Sequence, residues 1–345
     1  MSQQTCVNIQ KPKTDEGLLW NILLAGQAHR VLLVAHNLKL FSVLAEKPLS
    51  FGEICDKLKI ASRPAFAILS VLTSIGLIDV TEDSYCLTLL AREYLLENSH
   101  TYFGGFLDLM IVNDELVSSF DSLKQAVLTN SQQLAENRQF KSFEEQVAAA
   151  RNFTYGMHGH SMGAALAWPE LLNLSEYKQL LDIAGGSGAH SIGVVLKWPQ
   201  LQATVFDLQP VCEVAQEFVT RYGLQSQVRT FVGDMWKDSF PPADLHFYSD
   251  IYHDWSPEQG QFLTQKSFES LLPGGRIIIH EMLYDDSKKG PFTVAAYNVG
   301  MLVGMQGQQY SGAELSAMLA EVGFTEIEVK PSTGYWSIVT GCKPK

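Results

Sequence analysis

An α/β fold, a doubly wound and mainly parallel sheet behind a smaller helical domain, is predicted by three observations. From Tyr177 to Cys342 short apolar runs alternate with segments of helical period, the pattern of βα units laid around a sheet. The first of these runs, 180–184, ends in Gly185-Gly186-Ser187-Gly188 and passes directly into a helical segment from His190 to Lys197. A glycine turn between a strand and a helix start makes a ligand cradle. Glycine accepts positive φ and lets a ligand reach the backbone, and the helix start offers free N–H groups and the positive end of a dipole. Third, the chain before Tyr177 is mostly helical in period.

The bulk properties narrow the classes of function. A chain of 345 residues suits two domains. Hydrophobic residues make up 46% and charged residues 18%, the balance of a globular protein with a sizeable core. A net charge of −12 repels nucleic acid and anionic membranes alike, and no Lys/Arg run makes a local exception. The five cysteines, Cys6, Cys55, Cys86, Cys212 and Cys342, are scattered and never form a C-x-x-C pair. That usage predicts reduced thiols in a cytoplasmic protein. The first apolar run, Leu18 to Leu24, follows Asp15 and Glu16 and is read as too short to span a bilayer. Neither a secretory signal nor a membrane partner is expected.

Residues 1–16 are polar and expected to be flexible. Residues 17–100 read as helices followed by a hairpin. Leu18, Ile22, Leu23, Val31, Leu32, Val34, Ala35 and Leu38 recur at helical spacing. A short helix opens at Phe51 after the turn-like Pro48-Leu49-Ser50. Ser62 is the candidate N-cap, and Pro64 the first-turn residue, of a helix running to Ile75, where Gly76 stops it. Two short strands, 77–80 and 85–88, flank the polar turn 81–84. Helices and a hairpin in this order form a winged-helix pattern. Its usual role is DNA binding, but the helix from Arg63 carries no lysine. A dimerisation surface is the better reading, and a DNA-binding regulator the alternative.

Residues 101–170 read as a helical linker that contributes to a substrate pocket. Its aromatics, Tyr102, Phe103, Phe106, Phe120, Phe140, Phe143, Phe153 and Tyr155, are expected mostly in the core. The stretch from Met157 to Ser161 holds His158 and His160 with one glycine between them. With no carboxylate nearby in sequence it reads as the polar edge of a ligand site, and no metal is expected. From residue 171 onward the strands are placed at 179–183, 203–207, 228–232, 243–249, 275–281, 326–330 and 336–342, with ligands expected at their carboxyl ends.

The loop alone does not choose its ligand. A dinucleotide fingerprint needs a third glycine, but the loop continues Gly186-Ser187-Gly188-Ala189-His190-Ser191. Asp182, inside the preceding strand, repels a pyrophosphate and suits an ammonium group. Asp207, nineteen residues beyond Gly188, stands where an acid grips ribose hydroxyls. Asp234 and Met235 close the third strand as candidates to flank an adenine. An ammonium, a ribose and an adenine in that order spell S-adenosylmethionine. A nicotinamide-dependent oxidoreductase is the weaker alternative.

Over 18–343 the chain resembles the plant-type or acetylserotonin-type small-molecule O-methyltransferases. The residues that carry the resemblance are 181–188, Phe206-Asp207, Gly233-Asp234-Met235, His253-Asp254-Trp255-Ser256, Leu272-Pro273-Gly274-Gly275 and the stretch from Gly307. The resemblance implies a Rossmann-like methyltransferase sheet in 171–345 and a homodimer formed by a winged-helix domain. It implies Asp182, Gly185, Gly186, Gly188, Asp207, Leu208, Asp234, Met235, Ser249 and Ser161 around S-adenosylmethionine, with S-adenosylhomocysteine as product. It also implies His253 as the general base. Histidine is the side chain whose unperturbed pKa lies nearest neutrality, and His253 follows the fourth strand at the edge where the ligand belongs.

Two departures from the family pattern stand out. Relatives often carry a lysine where this chain has Ser249, and they flank the histidine with two glutamates. The first matches Glu281; the second falls at Gln309, in Gly307-Gln308-Gln309-Tyr310-Ser311. An amide bonds an imidazole but cannot offset its charge, so His253 is expected to be a weaker base. A relative that keeps the cofactor but decarboxylates or hydroxylates is the second reading. Met157, His160, Asp254, Tyr297, Asn298, Met301 and Met305 are the expected acceptor contacts, with Met301 and Met305 on one helical face. Asp254 is also a candidate cap for the helix that contains Glu258.

Overall fold

The computed structural model describes residues 10–117, 119–133 and 142–345. Part of the expected flexible N-terminus (residues 1–9), with Cys6, and Phe140 lie outside the described residues. The chain divides into two compact units, one ending at Ser99 and the other beginning at His100.

The first unit is helical with a three-stranded antiparallel sheet of order β1-β3-β2, built from β1 (Leu49–Ser50), β2 (Ile78–Thr81) and β3 (Ser84–Leu87). The two expected strands are β2 and β3; β1 was read only as a turn. Ser50 ends β1 and opens helix Phe51–Leu58 through a reciprocal capping box with Glu53. The next helix, Ser62–Ser74, has Ala61 as its N-cap, with no side-chain bond to it. Ser62 is therefore the first helical residue and not the cap. The first helix runs from Gly17 to Asn37, well past the apolar run read from the sequence. By length and composition it is apolar enough to cross a membrane. Leu33 and Ala35 are buried, while Leu18, Leu19, Trp20, Ile22, Leu23 and Leu24 stand exposed on the single chain.

In the second unit the α-helices Gly104–Val117, Phe120–Thr129 and Phe143–Ala167 are among the described elements that precede the sheet. Its aromatics are less internal than their number suggested: Phe120, Phe143 and Phe153 are exposed. The sheet has seven strands in the order β6-β5-β4-β7-β8-β10-β9. These are β4 (Gln179–Ile183), β5 (Gln202–Asp207), β6 (Val228–Val232), β7 (Leu245–Ser249), β8 (Arg276–Met282), β9 (Thr325–Pro331) and β10 (Trp336–Cys342). The first five pair in parallel, and β10 and β9 add an antiparallel edge. All seven match the expected strands to within two residues.

The parallel strands are apolar on both faces. Leu181, Ile183, Phe206, Ile277 and Ile279 pack into one layer of core, and Leu180, Val205, Leu245, Phe247 and Ile278 into the other. The strand order reverses at β4, with β5 on one side and β7 on the other. At such a switch point the helices leave opposite faces and the strand ends open a crevice. The loops after β4 and β7, which carry the glycine turn and His253, both leave from this point.

Helix Ala189–Lys197 crosses helix Phe143–Ala167 at close range. A Cβ added at Gly193 would lie 2.1 Å from the Ala165 carbonyl oxygen. Alanine gains about 1 kcal/mol of helix propensity over glycine, but a clash with backbone costs more. Gly193→Ala is expected to lower the unfolding free energy by about 1–2 kcal/mol in a denaturant titration.

Candidate active site

The glycine turn is shaped as the sequence implied. Gly186 and Gly188 adopt φ of 56° and 73°, and a Cβ on Gly186 would meet open space. Asp207, at the end of β5, accepts from Gly186 N–H at 2.9 Å through Oδ2 and from Leu208 N–H at 2.7 Å through Oδ1. Burial pushes its carboxyl up to about 6. A carboxylate has about four lone-pair sites, so Asp207 keeps capacity for further donors. Asp182 is fully buried and lies under the turn, 2.6 Å from where a Cβ on Gly185 would stand. Ser191 Oγ donates to its Oδ2 at 2.7 Å, and burial pushes it up to about 7.

Asp234 takes Lys237 Nζ and Trp236 N–H at 2.8 and 2.9 Å, and Met235 is half-buried against the core. Leu208 is 54% exposed at the mouth of β5. An open backbone turn, a strand-end carboxylate and an exposed leucine beside them fit a nucleoside carrying an amino-acid tail. Ser161 is half-buried on helix Phe143–Ala167.

The two histidines of that helix part company. Side chains two apart on a helix point to different faces. His158 Nδ1 lies 2.9 Å from Ser187 Oγ in the glycine turn, and its ring stacks on Phe218 at 3.5 Å. His160 turns toward β7, where its Nε2 lies 3.4 Å from Asp250 Oδ2. They do not form a common metal site.

His253 sits on a single 3-10 turn, Tyr252–Asp254, just past β7, and is buried. Its Nδ1 lies 2.8 Å from Glu281 Oε2 and 3.0 Å from the Gln309 amide nitrogen. Glu281, in β8, also accepts the backbone N–H groups of Ile251 and Tyr252 at 3.1 and 3.0 Å through Oε1. Those two bonds favour the anion, although burial pushes the carboxyl up against the pull of His253. Glu281 Oε2 stands at ion-pair distance from Nδ1 without a hydrogen bond of normal geometry, and its charge favours a proton on that nitrogen. Gln309 occupies the position the sequence implied, braced by its own N–H donating to Asn298 Oδ1 at 2.7 Å. Asn298, expected to bond an acceptor, thus spends its carbonyl oxygen on Gln309.

The other ring nitrogen, Nε2, is not left with a single partner. Asp254 Oδ1 lies 3.3 Å away and Asp250 Oδ1 3.7 Å. Burial opposes a charge on His253, but Glu281 and then Asp254 more than offset it, and the imidazole is held well above its ordinary pKa. Asp254, with Asp250 beyond it, places negative charge on the Nε2 side of a ring that has Gln309, not a second glutamate, on its Nδ1 side. Asp254 does not cap the following helix, Pro257–Ser270, whose cap is Ser256 in a box with Gln259.

Aromatic rings wall this region. Tyr297 meets His253 edge-on at 5.6 Å and His160 nearly parallel at 6.4 Å. Phe106 and Trp336 approach His160 at 4.7 and 5.4 Å. Met157 is half-buried one turn before His160, and Met301 is buried on helix Phe292–Gly304. Met305 is the C-cap of that helix with extended backbone, φ −130° and ψ 177°, so it does not continue the face of Met301 as its spacing suggested. At the expected cofactor contact Ser249, Oγ lies 2.9 Å from His280 Nδ1.

Sequence reasoning passed over Asp250, His190 and His280. His280 stacks on Trp336 at 4.7 Å and lies 5.2 Å from His190; burial holds both imidazoles below their ordinary pKa. Asp250 had a readable signal: it ends a strand at the expected ligand edge, three residues before His253. Asp250, His253 and Glu281 bring one ligand-capable atom each to within 4.8 Å of one another. Glu281 is already committed to two backbone N–H groups and an imidazole, which favours an ion pair over a shared cation.

Comparison with known proteins places this geometry. The family model described as an O-methyltransferase domain matches residues 120–325. The chain is 29% identical over 317 residues to a 3-hydroxy-5-methyl-1-naphthoate 3-O-methyltransferase of Streptomyces sahachiroi, covering 91% of each chain. It is 28% identical to the tetracenomycin polyketide synthesis 8-O-methyl transferase of Streptomyces glaucescens, covering 95% of this chain and 97% of that one. In fold it matches human N-acetylserotonin methyltransferase, solved with S-adenosylmethionine, with a TM-score of 0.83, 23% identity, and coverage of 97% of this chain and 100% of that one.

The ring environment predicts a titration. Followed by NMR, His253 is expected to stay protonated above the ordinary imidazole value of about 6.5. Glu281→Gln removes the first of the charges that raise it, and the midpoint should move down. An unshifted midpoint in that variant would show that the carboxylate does not govern the ring.

Proposed function

The chain belongs to the O-methyltransferase family and is an S-adenosylmethionine-dependent O-methyltransferase; we propose that its acceptor is the hydroxyl of a small aromatic molecule and that His253 takes the hydroxyl proton. The observation that carries this reading is the divided environment of His253. Nδ1 lies 2.8 Å from the Glu281 carboxylate, whose charge favours the proton on that nitrogen, while Nε2 lies on the side of Asp250 and Asp254. The aromatic names of the Streptomyces relatives agree with the rings around His160 and Tyr297.

When bound, S-adenosylmethionine supplies a methyl group already activated on a sulfonium. The residues proposed to hold it are Gly185, Gly186 and Gly188 of the turn, Asp182 as a buried charge behind the turn, and Asp207 for the ribose. Leu208, Asp234 and Met235 are proposed for the adenine side, and Ser249 and Ser161 for the amino-acid end. The protein's own part is alignment, desolvation and the proton. As the acceptor oxygen bonds to the methyl carbon, the carbon–sulfur bond breaks and the hydroxyl proton passes to His253 Nε2. The Asp250 and Asp254 carboxylates beside Nε2 then stabilise the imidazolium. They also disfavour an acceptor carboxylate at that atom, since like charges at such distances repel. The reading therefore selects a hydroxyl.

Only neutral His253 accepts a proton, and its pKa is raised. The rate is expected to climb with pH into the range above the ordinary imidazole value. In Glu281→Gln that rising limb should move to lower pH with a lower plateau. His253→Ala should cut turnover on a phenol panel by about 10²–10⁴-fold while S-adenosylhomocysteine binding, measured calorimetrically, stays within a few-fold. Equal turnover by wild type and His253→Ala would remove the histidine from the chemistry.

We further infer that the exposed apolar residues of helix Gly17–Asn37 pair two copies of the chain. Asn21, Gln27, His29 and Arg30 interrupt that helix and make a protein surface a better match than lipid. Leu23→Asp, at a residue 70% exposed in the single chain, should shift the sedimenting species from dimer to monomer. An unchanged dimer would place the interface elsewhere.

A further inference from the structure

Asp250 does more in this geometry than place charge beside Nε2. It is buried, at 8% exposure. Its backbone is left-handed, with φ 57°, a region that Asp enters more readily than most residues but not freely. Its two oxygens are differently placed. Oδ2 faces His160 Nε2 at 3.4 Å, whereas Oδ1 has no hydrogen-bond partner among the described residues. Oδ1 also lies 3.7 Å from His253 Nε2, too far for a bond between them and close enough that a group reaching Nε2 also meets Oδ1. A buried carboxylate oxygen without a donor is costly, and a strained backbone holds this one beside the atom that takes the proton.

His160 is built to keep Asp250 in place. Neither of its ring nitrogens has a hydrogen-bond partner of normal geometry, and its ring is packed among Phe103, Phe106, Tyr297 and Trp336. Nε2 faces the Asp250 carboxylate at 3.4 Å. The pocket thus holds two carboxylate–imidazole pairs. Glu281 and His253 serve the oxygen that takes the methyl. His160 and Asp250 end in an oxygen that can only accept.

We propose that Asp250, positioned by His160, is a specificity-determining residue that accepts a hydrogen bond from a second donor on the acceptor, a hydroxyl or amino group adjacent on the ring to the oxygen that is methylated. The gap between Oδ1 and Nε2 is spanned by two neighbouring ring substituents, one at each atom. A carboxylate in the second position is excluded by charge, and a lone hydroxyl leaves Oδ1 unsatisfied. This proposal rests on the methyl-transfer reading for its pose, but its central claim concerns binding alone.

The test measures binding to the full-length protein loaded with S-adenosylhomocysteine, using 2,3-dihydroxynaphthalene and 2-naphthol as a matched pair. Wild type should hold the diol at least about tenfold tighter, the scale of one hydrogen bond to a charged acceptor. Asp250→Asn, which tolerates the left-handed backbone, should reduce that preference to about threefold or less with 2-naphthol affinity little changed. His160→Phe should weaken the preference in the same direction. Equal binding of the two probes by wild type overturns the proposal, as does failure to bind either, or an equal loss of both in Asp250→Asn. A preference that disappears on adding EDTA overturns it in favour of a divalent cation held by Asp250, His253 and Glu281. Labelled methyl transfer is followed separately. A wild type that prefers the diol but methylates neither probe leaves Asp250 standing and removes the acceptor chemistry proposed above.

Discussion

The site depends on one buried carboxylate. Glu281 reaches from β8 across to the end of β7, where it takes the N–H groups of Ile251 and Tyr252 with one oxygen and faces His253 Nδ1 with the other. The backbone bonds fix the 3-10 turn, and the ion pair orients the ring that the turn carries. A carboxylate this deep would be expensive to charge alone. Here two backbone donors satisfy one oxygen and the His253 imidazole faces the other at ion-pair distance, and the burial that makes the carboxylate costly also strengthens its pull on His253. Asn298 and Gln309 finish the frame from the far side.

The protein sets two carboxyl environments apart by the same physics. Asp182 is buried and Asp207 half-buried near the glycine turn, with hydroxyl or backbone donors and no ion-pair partner among the described residues, and desolvation raises both. Asp250 is buried as well, yet the His160, His253 and His280 imidazoles more than offset the burial and lower it. A positively charged ligand at the turn would meet carboxyls that gain from its charge. A ligand near His253 meets a carboxylate already balanced by imidazoles, where donor geometry decides more than charge.

Much of this was legible in the sequence, for physical reasons that can be named. The central parallel strands β5, β4, β7 and β8 are buried on both faces, so their apolar runs stand out whatever their neighbours do. The glycine turn needs residues that take positive φ, and the strand-end acids sit at fixed spacing from it. The His253–Glu281–Gln309 constellation, by contrast, was placed through family resemblance, since no local rule links residues 253, 281 and 309. Helix faces were read less well. Phe120 and Phe143 looked like core because composition does not say which side of a helix meets a partner, and Met305 looked helical because its spacing continues past the point where the backbone turns extended. Asp250 escaped because the sequence placed it in line with a motif centred on His253, whereas its partner His160 comes from a helix ninety residues earlier.

The parts of the pocket hang from different supports. His253 and Glu281 are anchored to β7 and β8 in the middle of the sheet, while His160, Met157, Tyr297 and Met301 ride on helices Phe143–Ala167 and Phe292–Gly304. Strands in the centre of a sheet share a ladder with neighbours on both sides and resist displacement; a helix can slide or swap side chains with little effect on that ladder. The wall of the pocket can thus be reworked on two helices while the strands are left alone, with Asp250, which follows β7, as the one selectivity element held by the sheet.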